Sequence, residues 1–154
     1  ARPQGLFILA SASDTAMICQ QVYKLKWKTQ LILSGWSLTE ELPALGGRSV
    51  EGAFGITTFD PGNQSPRYLE FAKRFRNRFG QGPGFPGLCG YEAAWVLFKA
   101  YEEAKGEVSK LPETILRIKT FQGLQGEIQI DEYGDAHRRK FITAIEGGKF
   151  KVIE

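Results

Sequence analysis

Apolar residues in the first part of the chain come in short runs separated by amphipathic stretches. Leu6-Phe7-Ile8-Leu9-Ala10 is a continuous apolar run, the pattern of a parallel strand covered on both faces. From Asp14 to Leu25 the apolar positions Ile18, Val22 and Leu25 fall on one stripe, which predicts a helix. Gln30-Leu31-Ile32-Leu33 reads as a second buried strand. Ser37-Leu38-Thr39-Glu40 has the form of a capping box and predicts a short helix that Pro43 and Gly46-Gly47 curtail. Val50 to Thr57 reads as a third strand, loosened by Gly52 and Gly55. Such a β-α-β-α-β series implies right-handed crossovers and a parallel, Rossmann-like α/β sheet.

The next helix is well punctuated: Ser65 can cap it, Pro66 suits its first turn and Gly80 can close it. Tyr68, Phe71, Ala72, Phe75 and Phe79 make its apolar face, and Arg67, Lys73, Arg74, Arg76 and Arg78 read as its solvated side. Gln81 to Leu88 is predicted to be a Gly/Pro loop. It contains a literal G-x-G-x-x-G, but this follows a helix rather than a strand, and its prolines lack the donors a pyrophosphate needs. Gly90 to Lys105 is the most apolar helix, with Tyr91, Ala94, Trp95, Phe98 and Tyr101 on one face and Ala93, Val96 and Leu97 elsewhere. An all-round apolar helix calls for burial on several sides. After a short helix from Pro112 to Ile118, strand-like alternation over Glu127 to Asp131 and Lys140 to Glu146 suggests two strands joined through Tyr133-Gly134-Asp135. Gly147-Gly148 then turns into Phe150 to Ile153.

Composition narrows the classes. The 154 residues carry 20 basic and 17 acidic side chains, for a net charge of +3. That balance gives no electrostatic footprint for nucleic acid. No apolar run approaches the roughly 18–20 residues that span a bilayer. Cys19 and Cys89 are too few and too far apart for a metal or redox motif, and Cys19 reads as a buried small residue. The one histidine, His137, stands beside a turn with no nucleophile near it in sequence, and reads as solvated. No hydrolase, metalloprotease or dithiol motif is present, so neither a catalytic group nor a cofactor is predicted. An enzyme would need a nucleophile or acid in one of the loops that follow the three strands.

Open parallel sheets bind ligands beyond the carboxyl ends of their strands, at a switch in strand order. This directs attention to the loops Ala10 to Thr15, Ser34 to Ser37 and Thr58 to Asn63. In the first, Ser11, Ala12 and Ser13 lead into a helix N-terminus, where free amides and hydroxyls suit a carboxylate. Asp14 would oppose such an anion unless it points away. In the second, Gly35 and Trp36 offer close backbone approach and an aromatic wall. In the third, Phe59 is the analogous aromatic, with core packing its simpler role.

These residues also carry a resemblance. The run from Gly5 to Gly55, and the later segments Gly90 to Ala104 and Gly123 to Phe150, resemble the branched-chain amino-acid type of periplasmic binding protein, type I fold. The resemblance implies a two-lobed protein, periplasmic or extracellular, that closes on a small solute and delivers it to the membrane permease of an ABC importer. It implies that residues 5–80 and 126–154 belong to the second lobe. Residues 81–125 would pack with a first lobe that precedes this chain. Without that lobe, self-association through the Tyr91 to Tyr101 helix is expected. Ala12, Ser13 and Trp36 match places where family members touch ligand. In amino-acid binders the position of Trp36 holds a carboxylate for the ligand's ammonium. The expected ligand is a small amino-acid-like or aromatic or aliphatic carboxylate, and tryptophan at this position favours the apolar or aromatic acid over a leucine-type one. A ligand-sensing module of the same fold is the alternative the resemblance leaves open.

Overall fold

A computed structural model describes residues 3–154. Along the chain the elements are β1 (Gly5–Ile8), α1 (Ala12–Lys24), β2 (Gln30–Leu33), α2 (Glu41–Gly46), β3 (Phe54–Thr57), α3 (Pro66–Phe79), α4 (Gly84–Glu103), α5 (Leu111–Ile118), β4 (Thr120–Gln122), β5 (Glu127–Ile130), β6 (Ala136–His137), β7 (Phe141–Glu146) and β8 (Lys149–Val152). They divide into two compact units. One runs to Gly62 and resumes at Lys140; the other spans Asn63–Arg139. Aromatic packing of Phe71 against Tyr91, with ring centroids 4.6 Å apart, joins α3 to α4 within the second unit.

The first unit is a five-stranded sheet in the order β1-β2-β3-β7-β8. β1, β2 and β3 pair in parallel, as predicted, while β7 runs antiparallel to β3 and β8 antiparallel to β7. Because the parallel strands step across the sheet in one direction, right-handed crossovers bring α1 and α2 to the same face. On that face Ile8, Leu31, Leu33 and Ile145 meet Ala16, Cys19, Val22 and Leu42 in one core. The opposite face carries a row of Phe7, Ile32 and Phe54, with Ile56 beside Ile142. Phe7 and Ile56 are 62% and 56% exposed. The expectation of strands covered on both faces therefore holds for one face only.

Local details depart from the sequence pattern for identifiable reasons. The capping box at Ser37 does not form: the Ser37 hydroxyl is buried and donates to the carbonyl of Ser34 at 2.9 Å, and α2 starts only at Glu41. β3 is shorter than Val50 to Thr57, because Gly47–Val50 coil into a 3-10 turn. The Ala53 carbonyl still accepts from Ile145 N at 2.9 Å, which starts the pairing of β3 with β7.

In the second unit α3 matches its predicted limits, with proline in its first turn and Gly80 left-handed at its end (φ 74°). Most of the predicted Gly/Pro loop is instead the start of α4, which begins at Gly84. Pro86 is tolerated there because the first-turn N–H groups lack intrahelical partners anyway. Contrary to the expectation for an all-round apolar helix, α4 leaves Leu97, Phe98 and Tyr101 at 50%, 67% and 46% exposure. Its Val96 joins Ile115 and Ile118 of α5 against Phe121, Ile128 and Ile130 of the three-stranded sheet β4-β5-β6. The expected pairing of 127–131 with 140–146 is not made. The Tyr133-Gly134-Asp135 turn joins β5 to the short β6, and β7 pairs with β3 in the other unit. The closing turn at Gly147-Gly148, between β7 and β8, is as predicted.

Candidate functional site

Parallel pairing sends the ends of β1, β2 and β3 in one direction, so their following turns start from one end of the sheet. Two contacts draw them together. Ser34 N donates to the Ile8 carbonyl at 3.0 Å, laying the second turn beside the first. A Cβ on Gly35 would stand 2.5 Å from the Ile56 carbonyl oxygen, so glycine is what lets the second turn lie against β3. Gly35 thus has a packing reason of its own.

The first turn is built around Ser11, the N-cap of α1. Its hydroxyl oxygen accepts from Asp14 N at 3.2 Å, donates to the Asp14 carboxylate at 2.8 Å and lies 3.1 Å from the Ser13 hydroxyl. Asp14 is thereby engaged locally and exposed, and its charge suits the positive end of the helix. Ala12 buries its methyl in the core and so offers only backbone to the turn. Thr15 N returns to the Ser11 carbonyl at 2.9 Å. The amides of Ala12 and Ser13 precede that first ladder bond and have no intrahelical carbonyl to reach.

The second turn presents Trp36, 73% exposed, on a 3-10 turn spanning Gly35–Ser37. Ser37 N and Oγ both donate to the Ser34 carbonyl, at 3.0 and 2.9 Å, which holds the turn in shape under the indole. Ser34 itself is a residue that the apolar pattern did not single out. It is 8% exposed and its hydroxyl has no hydrogen-bond partner in the structure. Buried polar atoms are rarely left so. Phe59 in the third turn is buried, lining a void of about 10 Å³ with Leu38, Pro61 and Phe150. That space holds one water molecule at most.

A larger groove, about 680 Å³, lies within the second unit between α3 and α4, with Phe71, Phe75, Tyr91 and Trp95 in its wall. Its arginines are already occupied. Arg67 donates to the Gln122 carbonyl at 2.9 Å and stacks 5.1 Å from the Trp95 ring, Arg74 pairs with Glu70, and Arg78 lies over Phe79. A groove without free, convergent polar groups is a poor orienting site despite its volume. Among the described residues no group of three or more His, Cys, Asp or Glu side chains is placed to hold a metal ion. No helix among them is long and apolar enough to cross a membrane. His137 is exposed, as the sequence suggests, and its Nε2 lies 2.8 Å from the Asp131 carboxylate.

The model of a family described as periplasmic binding protein matches residues 1–149. Among solved structures, a leucine-binding protein from Thermotoga maritima superimposes with a TM-score of 0.89 at 27% identity, over 99% of this chain and 44% of that one. A solute-binding protein of an ABC transporter from R. palustris, in complex with benzoate, gives 0.84 at 15% identity, over 98% of this chain and 42% of that one. A branched-chain amino acid transporter substrate-binding protein from Streptococcus pneumoniae, in complex with isoleucine, gives 0.83 at 15% identity, over 97% and 44%. The chain therefore spans less than half the length of these proteins. Among curated protein sequences none matches significantly.

Proposed function

Since the chain belongs to the periplasmic binding protein family, we propose that its first unit forms one wall of a small-solute site in the extracytoplasmic binding component of an ABC importer. The observation that carries this reading is the exposed Trp36 on the turn that Ser34 N ties back to the end of β1, where the hydroxyls of Ser11 and Ser13 open α1. A tryptophan left 73% exposed is stabilised when a partner covers its face. The amides and hydroxyls at the start of α1 complement a carboxylate. Together they fit an apolar or aromatic carboxylic acid, its acid group at the α1 N-terminus and its body against the indole. Ser34, with its unpaired hydroxyl, stands at the base of the same turns.

The solute is bound and released unaltered, and the permease is the downstream partner. The second lobe corresponds to the first unit, and the other cleft wall comes from a first lobe. Exposed Leu97 and Phe98 on α4, and Phe7 and Ile56 on the bare face of the sheet, are the surfaces this chain offers to such a lobe or, in its absence, to another copy of itself.

Isothermal titration of the protein with benzoate and with leucine tests the ligand class. Benzoate is expected to bind more tightly. Trp36→Ala should weaken it about tenfold, the equivalent of one good aromatic contact. Micromolar leucine binding with benzoate inert would overturn the assignment of the ligand class.

A further inference from the structure

The second unit buries one carboxylate, Glu92 of α4, whose side chain is 2% exposed. A charge so placed needs partners at each oxygen. Oε1 accepts from the backbone N–H of Leu124 at 2.6 Å, and Oε2 accepts from the Arg138 guanidinium. The other arm of that guanidinium points to Cys89 Sγ at 3.6 Å. The turn that carries Leu124 is shaped for this carboxylate. A Cβ on Gly123 would stand 2.6 Å from Glu92 Oε1 and 2.7 Å from the Gly126 carbonyl oxygen, so only glycine fits. The same turn receives the start of α3: Arg67 donates to the Gln122 carbonyl at 2.9 Å, and the Ser65 hydroxyl, which donates to Asn63 Oδ1 at 2.6 Å, also lies 3.2 Å from the Leu124 carbonyl oxygen.

The places of these partners in the chain give the cluster its meaning. The polypeptide passes between its two units at Gly62–Asn63 and at Arg139–Lys140. Ser65 and Arg67 follow the first passage closely, and Arg138 immediately precedes the second. We infer that Glu92 and the Gln122–Leu124 turn form a clamp that fixes both passages to one point of the second unit, so that neither loosens without the other. Glu92 is then a positioning residue. Any bearing of the clamp on closure around a solute rests on the function proposed above; the coupling of the two passages does not.

Amide hydrogen exchange on this chain tests the coupling. Ser65→Ala/Arg67→Ala removes the links at the first passage, and Arg138→Lys weakens the link at the second while keeping its charge. The first variant is expected to speed exchange at Arg138, Arg139 and Lys140 by about three- to tenfold, the factor one hydrogen bond carries. The second should do the same at Asn63, Gln64 and Ser65, because coupling is reciprocal. Amides in the middle of α3 and in β5 should be unchanged in both. Where Arg138→Lys does not fold, Glu92→Gln/Arg138→Met, which removes both buried charges, takes its place. Faster exchange confined to the substituted passage, or a uniform rise across the whole unit, would show an ordinary stabilising ion pair and overturn the inference.

Discussion

Cys19 is wholly buried in the core of the first unit, and burial pushes its thiol pKa up, with a backbone hydrogen bond opposing in part. Thiolate is the reactive form, so the folded chain should protect this residue. At mildly alkaline pH a thiol reagent is expected to modify Cys19 only as fast as the unit opens, and rapid stoichiometric labelling of native protein would contradict the placement. Gly35 gives a second check at this scale. Gly35→Ala places a methyl against the Ile56 carbonyl, and strain of about 1–3 kcal/mol is expected in a urea titration. Individual residues were unevenly legible in the sequence. Trp36 could be picked out because an aromatic after a strand has positional meaning, whereas a helix read from Asp14 puts its cap later than the observed Ser11. Glu92 could not, since in Tyr91-Glu92-Ala93 it looks like any helical carboxylate, and its burial depends on Arg138 and Leu124, which come from distant parts of the chain. The one local hint was an acid set within the body of the most apolar helix, apart from Glu102 and Glu103 at its end.

Among the elements, those defined by local periodicity and caps, such as β2 and α3, were readable almost to the residue. Strand pairing was not. Alternation shows that 127–131 and 140–146 are strands without saying which neighbours they take, and the turn between them serves β6. That turn has its own pH response. Asp131 accepts from the backbone N–H of Tyr133 and of Asp135, both at 2.9 Å, and faces His137. The His137 contact is the main cause holding its carboxyl below the usual range, followed by the Asp135 amide. A depressed folded-state pKa adds stability above the unfolded value of about 3.9, lost as pH falls through the folded value. Exchange at the Tyr133 and Asp135 amides should therefore quicken relative to other turns as pH drops below that range, and Asp131→Asn should abolish the difference. The β7–β8 turn has a similar support that no local pattern announced: the Glu51 carboxylate accepts from Gly147 N at 3.0 Å and Gly148 N at 2.8 Å.

For the whole molecule, handedness explains what is covered and what is bare. Strands advancing in one direction put both crossover helices on one face, and the row of Phe7, Ile32 and Phe54 on the other has no helix of its own unit. With α4 also exposing Leu97 and Phe98, the chain in isolation is expected to self-associate, and Phe98→Glu/Ile56→Lys should lower its mass by light scattering; an unmodified chain that is already monomeric would contradict this. The class of fold could be read from three strand-helix repeats, but the bare face depends on strand order, which the repeats do not contain. The most direct test of the central claim, that the turns after β1 and β2 share one ligand-binding wall, is amide chemical-shift mapping of this chain titrated with benzoate. The account predicts shifts grouped at Ser11 to Ser13 and Gly35 to Ser37, lost in Trp36→Ala. Shifts confined to the groove of Phe71, Tyr91 and Trp95, with those turns silent, would contradict it.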